Sequence, residues 1–115
     1  MRIGVVGSRR RTNRQAVEAC IAELSPETVV VTGGAEGPDQ WAEAAARARG
    51  LAVVHRPDLQ GVKVYYQAAQ RHYDRNQRII DDCDRVIAFV AADRKGGTED
   101  TIRRAERAGK PVEVR

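Results

Sequence analysis

The chain has 115 residues, enough for one domain with one core and too few for a separate catalytic domain. Its formal net charge of +4, supplied almost wholly by arginine, suits an anionic ligand without separating a mononucleotide from a nucleic acid. No apolar stretch approaches a membrane span, two cysteines are too few for a disulfide scaffold, and two histidines without a Cys/His cluster argue against a zinc site.

The sequence opens directly into a strand-like run, Arg2–Val6, with no signal-peptide pattern, so a cytoplasmic location is expected. A helix follows over about Asn13–Leu24, with Val17, Cys20, Ile21 and Leu24 at helical spacing. Thr28–Thr32 reads as the second strand. Pro38–Arg49 reads as the second helix, with Pro in its first turn and Gly50 as its stop. Leu51–His55 is the third strand, and Arg56–Val64 an irregular stretch. A third helix is expected over Tyr66–Cys83 and a fourth strand over Arg85–Val90. The last elements are a helix over Thr98–Ala108, stopped by Gly109, and a strand over Pro111–Val114.

Strict strand–helix alternation with right-handed crossovers gives one α/β domain, a doubly wound parallel sheet in three layers. The expected strand order is 3-2-1-4-5. Near-continuous apolar runs in strands one, two and four suit strands covered on both faces. Helices one and two would cover one face, helices three and four the other, which puts Cys20 and Cys83 on opposite faces as reduced core residues. Three glycine-bearing strand ends would then meet at one sheet edge, where open α/β sheets bind ligands.

Gly7-Ser8-Arg9 combines a glycine turn, a hydroxyl and a guanidinium ahead of a helix, a pattern that suits phosphate; Arg9 is the candidate for a bidentate contact. It is neither a dinucleotide-binding nor a P-loop pattern. In the second bend, Gly33-Gly34-Ala35-Glu36-Gly37-Pro38-Asp39, the glycines would allow close approach of a ligand or of the first loop. Asp39 has two readings, a structural carboxylate favoured by the first helical turn or a ligand contact. Trp41 also has two, packing on the sheet or stacking on a base.

In the third helix Tyr66, Ala69, Tyr73, Ile80 and Cys83 form an apolar stripe that Asn76 completes with a polar group. A buried, unsatisfied amide costs about 1–3 kcal/mol, so Asn76 is expected to bond either backbone or ligand. Strand rise against helix rise puts His72 level with the binding edge, one turn above Arg75 and Asn76. Ahead of the fourth helix, Lys95-Gly96-Gly97-Thr98-Glu99-Asp100 offers Thr98 as N-cap and free N–H groups for an anion.

Taken together these motifs resemble the SLOG superfamily, the Rossmann-like group that includes Lonely Guy phosphoribohydrolases, the DNA-processing DprA proteins and small stand-alone YspA-like proteins. The likeness is greatest to the YspA-like members, on Gly7-Ser8-Arg9, Gly33-Gly34-Ala35-Glu36-Gly37-Pro38-Asp39, Arg75-Asn76 and Gly97-Thr98-Glu99-Asp100. It covers almost the whole chain and implies a nucleotide or nucleotide-derived ligand. Lonely Guy enzymes place a catalytic Glu three residues after the Gly-Thr pair, and here that position is Thr101.

Three functions follow as expectations. The first is a nucleotide-binding or sensing domain, with Gly7, Ser8, Arg9, Gly33, Gly34, Gly37, Asp39, Arg75, Asn76, Gly96, Gly97, Thr98 and Asp100 around the ligand. The second is a nucleoside-monophosphate N-glycosidase using Asp100 or Glu99, since glycosidic cleavage needs a carboxylate near the ribose. The third is DNA binding through Arg10, Arg11, Arg14, Arg103, Arg104 and Arg107. No cofactor or metal is expected, a membrane partner is not, and an open sheet this small is compatible with a homo-oligomer.

Overall fold

The computed structural model describes residues 1–55 and 65–115, with backbone alone for residues 65–73. Its elements are β1 (Arg2–Gly7), α1 (Arg14–Ala22), β2 (Val29–Thr32), α2 (Pro38–Ala48), β3 (Ala52–His55), α3 (Tyr65–Asp82), β4 (Arg85–Phe89), α4 (Gly97–Arg107) and β5 (Val112–Val114). All strand pairs are parallel and the order is β3-β2-β1-β4-β5. The fold is therefore the α/β doubly wound sheet expected from the sequence. The irregular stretch Arg56–Val64 lies outside the described residues, as do the side chains of Tyr66, Ala69, His72 and Tyr73.

Strand periodicity divides the core. Ile3, Val5, Val30, Ile87 and Phe89 point to the α1/α2 face, where they meet Val17, Cys20, Ile21, Ala42 and Ala46. Val6, Val31, Val86 and Ala88 point to the other face and meet Ile79, Ile80, Cys83, Ile102 and Ala105 of α3 and α4. Cys20 and Cys83 are thus buried on opposite faces, and burial raises both thiols above their ordinary range. Trp41 packs partly buried against the first cluster, the structural one of its two readings.

Local signals account for the boundaries. Asn13 caps α1, its Oδ1 accepting from Ala16 N at 3.1 Å. Gly50 (φ 77°) and Gly109 (φ 72°) follow α2 and α4 in left-handed conformation and end them. Arg49 binds α2 to α1, donating to the carbonyls of Ile21 (2.6 Å) and Leu24 (2.9 Å). One local expectation fails. Thr98 does not cap α4; Gly96, at φ 112°, makes the turn instead, so Thr98 lies inside the first helical turn.

Candidate functional site

β1 lies between β2 and β4, and the connections after β1 and β4 carry the chain to helices on opposite faces, so the β1/β4 boundary is the switch point. Strand spacing alone would leave the three loops there as separate tips. Asp39 joins two of them. One of its oxygens accepts from Gly7 N at 3.1 Å and the other from Gly33 N at 3.3 Å, so one carboxylate holds the ends of β1 and β2. Asp39 is 3% exposed; burial pushes it up to about 6, against the opposing pull of Arg75 and of the backbone N–H donors. Asp39 thus holds the two loops together and also borders the cavity between them.

The β1–α1 loop is drawn to β4 on its other side. Ser8 N donates to Phe89 O at 2.9 Å, and Ser8 Oγ accepts from Arg10 N at 3.2 Å. Arg10 forms a two-pronged pair with Asp93, both contacts at 2.7 Å, and also donates to Lys95 O. Arg11 donates to Val90 O and lies over the Phe89 ring, 5.6 Å from its centroid. Of the three consecutive arginines, Arg9 alone makes no hydrogen bond or ion pair with a described residue, and it lines the cavity.

Glycines set the close approaches. A Cβ on Gly33 would fall 2.5 Å from Arg75 Cδ, so the Arg75 stem lies directly on the end of β2. Gly34, at φ +72°, is pressed against the His55 ring, where a Cβ would stand 2.2 Å from Cε1. These two glycines make room for side chains of this chain, and neither they nor Gly37 lines the cavity.

Asn76 is 3% exposed and finds its partners in α4: Nδ2 donates to Asp100 Oδ2 at 3.0 Å and to Gly97 O at 3.4 Å, while Oδ1 accepts from Arg75 Nη2 at 3.4 Å. Asp100 also accepts from Arg104 Nε at 2.7 Å, and Arg104 reaches Gln77 at 2.9 Å. Glu99 is held by Arg94, both contacts at 3.0 Å. Neither Asp100 nor Glu99 reaches the cavity wall. Asn76→Asp would set a second carboxylate against Asp100; we expect destabilisation by about 1–3 kcal/mol at pH 7 that shrinks on acidification, checked by urea unfolding at pH 7 and pH 4.5.

What remains is a cavity of about 460 Å³, within the range of small-molecule sites. Gly7, Ser8, Arg9 and Arg10 form one side, and Ala35, Glu36 and Asp39 a second. Arg75, Asn76 and Ile79 come from α3; Lys95, Gly96, Gly97, Thr98 and Thr101 complete the wall. The α2 and α4 N-termini both border it. Each begins at a glycine N-cap, Gly37 and Gly96, with no side chain accepting from the first N–H groups. Thr98 is 7% exposed, and its hydroxyl bonds no described residue.

Sequence reasoning missed Lys95, Glu36 and Thr101 as wall residues. Lys95 could have been found from its place just before Gly96-Gly97, and Thr101 from being one turn beyond Thr98. It also missed a cluster at the ends of β2 and β3, where Glu43 accepts from Thr32 (3.0 Å) and Arg47 (2.9 Å) and pairs with His55 Nδ1 (2.9 Å). Burial pushes Glu43 up, but bonds from Arg47, His55 and Thr32 outweigh it and hold the carboxyl below its ordinary range. Among the described residues no His/Cys/Asp/Glu group is arranged to hold a metal ion, and no helix is long and apolar enough to cross a membrane.

This sheet order and cavity define a Rossmann-like α/β domain with a crevice at the switch point. Among solved structures it is similar to DNA processing protein A (DprA) from Streptococcus pneumoniae, with 25% identity over 98% of this chain and a TM-score of 0.82. The chain spans about half (49%) of that DprA chain. It is also similar to TM1055, a structural-genomics target, with 19% identity over 96% of this chain and 71% of the other, at a TM-score of 0.69. The C-terminal domain of PF1911 hydrogenase from Pyrococcus furiosus shares the fold at 13% identity over 99% of this chain and 90% of the other, with a TM-score of 0.54. No protein-family model matches the sequence, and no curated protein matches it. These likenesses show the Rossmann-like α/β fold.

Proposed function

We propose that the protein binds a nucleotide or nucleotide-derived anion in the switch-point crevice, as a binding or sensing domain of the YspA-like kind. The observation that carries this reading is the uncapped N-terminus of α4, whose Gly96, Gly97 and Thr98 line one cavity together with the Arg9 and Lys95 cations. Such a terminus directs N–H groups and a positive dipole end at an anion, and Arg9 adds a fork that matches a phosphate. Thr98 supplies a further hydroxyl, while Arg75 is positioned for phosphate or sugar by its bed on Gly33.

Hydrolysis of an N-glycosidic bond is the weaker reading for this site. Asp100 and Glu99 are both paired with arginines and neither lines the cavity, and Thr101 stands where the Lonely Guy enzymes that this chain resembles carry their Glu. The likeness to DprA favours, as a second reading, a nucleic-acid partner. The outward cations of α4 that would serve it are Arg103 and Arg107, since Arg104 is turned in to Asp100 and Gln77.

One panel separates the three. With nucleoside monophosphates at about a hundred times Kd, thermal unfolding is expected to show about 2.7 kcal/mol of stabilisation, lost in Arg9→Ala. Chromatography of the same mixtures is expected to show no free base. Base release abolished by Asp100→Asn would reverse the order of the first two readings. Salt-sensitive retention of single-stranded DNA that mononucleotides do not displace would favour the nucleic-acid reading.

A further inference from the structure

We propose that Glu36 is the residue by which this pocket selects ribose-bearing ligands over their 2′-deoxy counterparts, an inference that rests on the nucleotide reading above. Four carboxylates lie in or beside the crevice. Asp39 is buried and accepts from two backbone N–H groups, Asp100 bonds Asn76 and Arg104, and Glu99 bonds Arg94. Glu36 differs from all three. It lines the cavity, it is exposed, and its carboxylate makes no hydrogen bond or ion pair with any described residue.

The remaining wall explains what such a group can be for. Arg9, Lys95, the uncapped start of α4 and the unbonded Thr98 hydroxyl all suit the anionic end of a ligand. A carboxylate with no partner among the described residues repels that end, so it is compatible with the same ligand only where the ligand presents hydrogen-bond donors. A vicinal diol does so well, because the two carboxylate oxygens accept from two adjacent hydroxyls. Glu36 lies in the loop between β2 (Val29–Thr32) and α2 (Pro38–Ala48), on the part of the cavity wall that it shares with Ala35 and Asp39. An exocyclic base amine offers similar donors, and a comparison of bases distinguishes it from the sugar.

The test is calorimetric titration of the full chain with the common ribonucleoside 5′-monophosphates, inosine 5′-monophosphate and the 2′-deoxy forms of each. Ribonucleotides are expected to bind at least about tenfold more tightly than their deoxy forms, the loss of one charge-assisted hydrogen bond. In Glu36→Gln and Glu36→Ala that preference falls to within about twofold, whereas Arg9→Ala weakens both series alike. Because Glu36 is exposed, the variants should melt with wild-type protein, which excludes misfolding as the cause. Equal affinity for ribo and deoxy ligands, or a preference that survives both Glu36 variants, overturns the proposal and leaves the nucleotide reading intact. A Glu36-dependent preference for adenosine over inosine ligands without a ribose preference assigns the carboxylate to a base amine and also overturns it. Binding of no nucleotide at all defeats the underlying reading, and the Glu36 proposal with it.

Discussion

Replacing Gly7 with alanine is expected to destabilise the protein by about 1–3 kcal/mol, a fall in Tm of roughly 5–15 °C. The new Cβ would stand 2.5 Å from Pro38 Cβ, 2.6 Å from Pro38 Cγ and 3.1 Å from Phe89 Cβ. None of these can swing aside. Pro38 is a ring at the first position of α2, and Phe89 is 1% exposed in the core. Relief requires α2 to move away from β1, and that motion carries Asp39 away from the N–H of Gly7. Affinity for the proposed nucleotide ligand should therefore fall together with stability. Gly97→Ala is the control: a Cβ there meets nothing within 4 Å, and its place in the first turn of α4 suits alanine. Differential scanning calorimetry of the two variants reads the contrast, and an unchanged Tm for Gly7→Ala would remove the β1–α2 contact from any account of the site.

The second large effect is on pH. Asp39 titrates at about 6 in the folded protein against an ordinary 3.8, because burial disfavours its charge. The folded state therefore holds the proton more tightly than the unfolded one. Stability from this group is complete below about pH 4 and is lost as pH rises through about 6. Integrated over the whole window the loss is about 3 kcal/mol, of which roughly 1.4 kcal/mol falls between pH 5 and pH 7.5. Asp39→Asn removes the titration but offers one acceptor oxygen to two N–H groups, at a cost of about 1–3 kcal/mol. The variant should thus be clearly less stable than wild type at pH 5 and approach it at pH 7.5. Urea unfolding at both values measures this, and a difference between the proteins that does not change with pH would contradict the cause assigned here.

The architecture was legible because each apolar run had a length and a flanking glycine or proline that fitted one element. Alternation of strand and helix then left few topologies. Asn76 shows how far the same reasoning reached into the site. A polar residue on a buried stripe announced that a partner must exist, but the partner, Asp100, sits 24 positions away, where no periodicity points. Arg10 and Asp93, 83 positions apart, are a similar case: the sequence shows two unremarkable surface charges, and only folding reveals that they join two loops. Gly33 and Gly34 were misleading for a different reason. Glycine announces that something approaches the backbone closely without saying what, and here Arg75 and His55 occupy the space. Thr98 has the chemistry of a cap because hydroxyls favour that position, whereas the left-handed turn at Gly96 sets the cap of α4 two residues earlier.

The bonds from Arg49 to the carbonyls of Ile21 and Leu24 have a consequence for how the molecule opens. A short helix such as α1 would ordinarily fray from its C-terminal end, because its last carbonyls have no partners within the helix. Here one guanidinium, carried just past the end of α2, bonds the Ile21 carbonyl in the last turn and the Leu24 carbonyl just beyond it. Fraying of α1 then requires Arg49 to let go, and release of Arg49 exposes the end of α2 at the same time. The last turns of the two helices on that face are therefore coupled, at the sheet edge opposite the β1 and β2 loops.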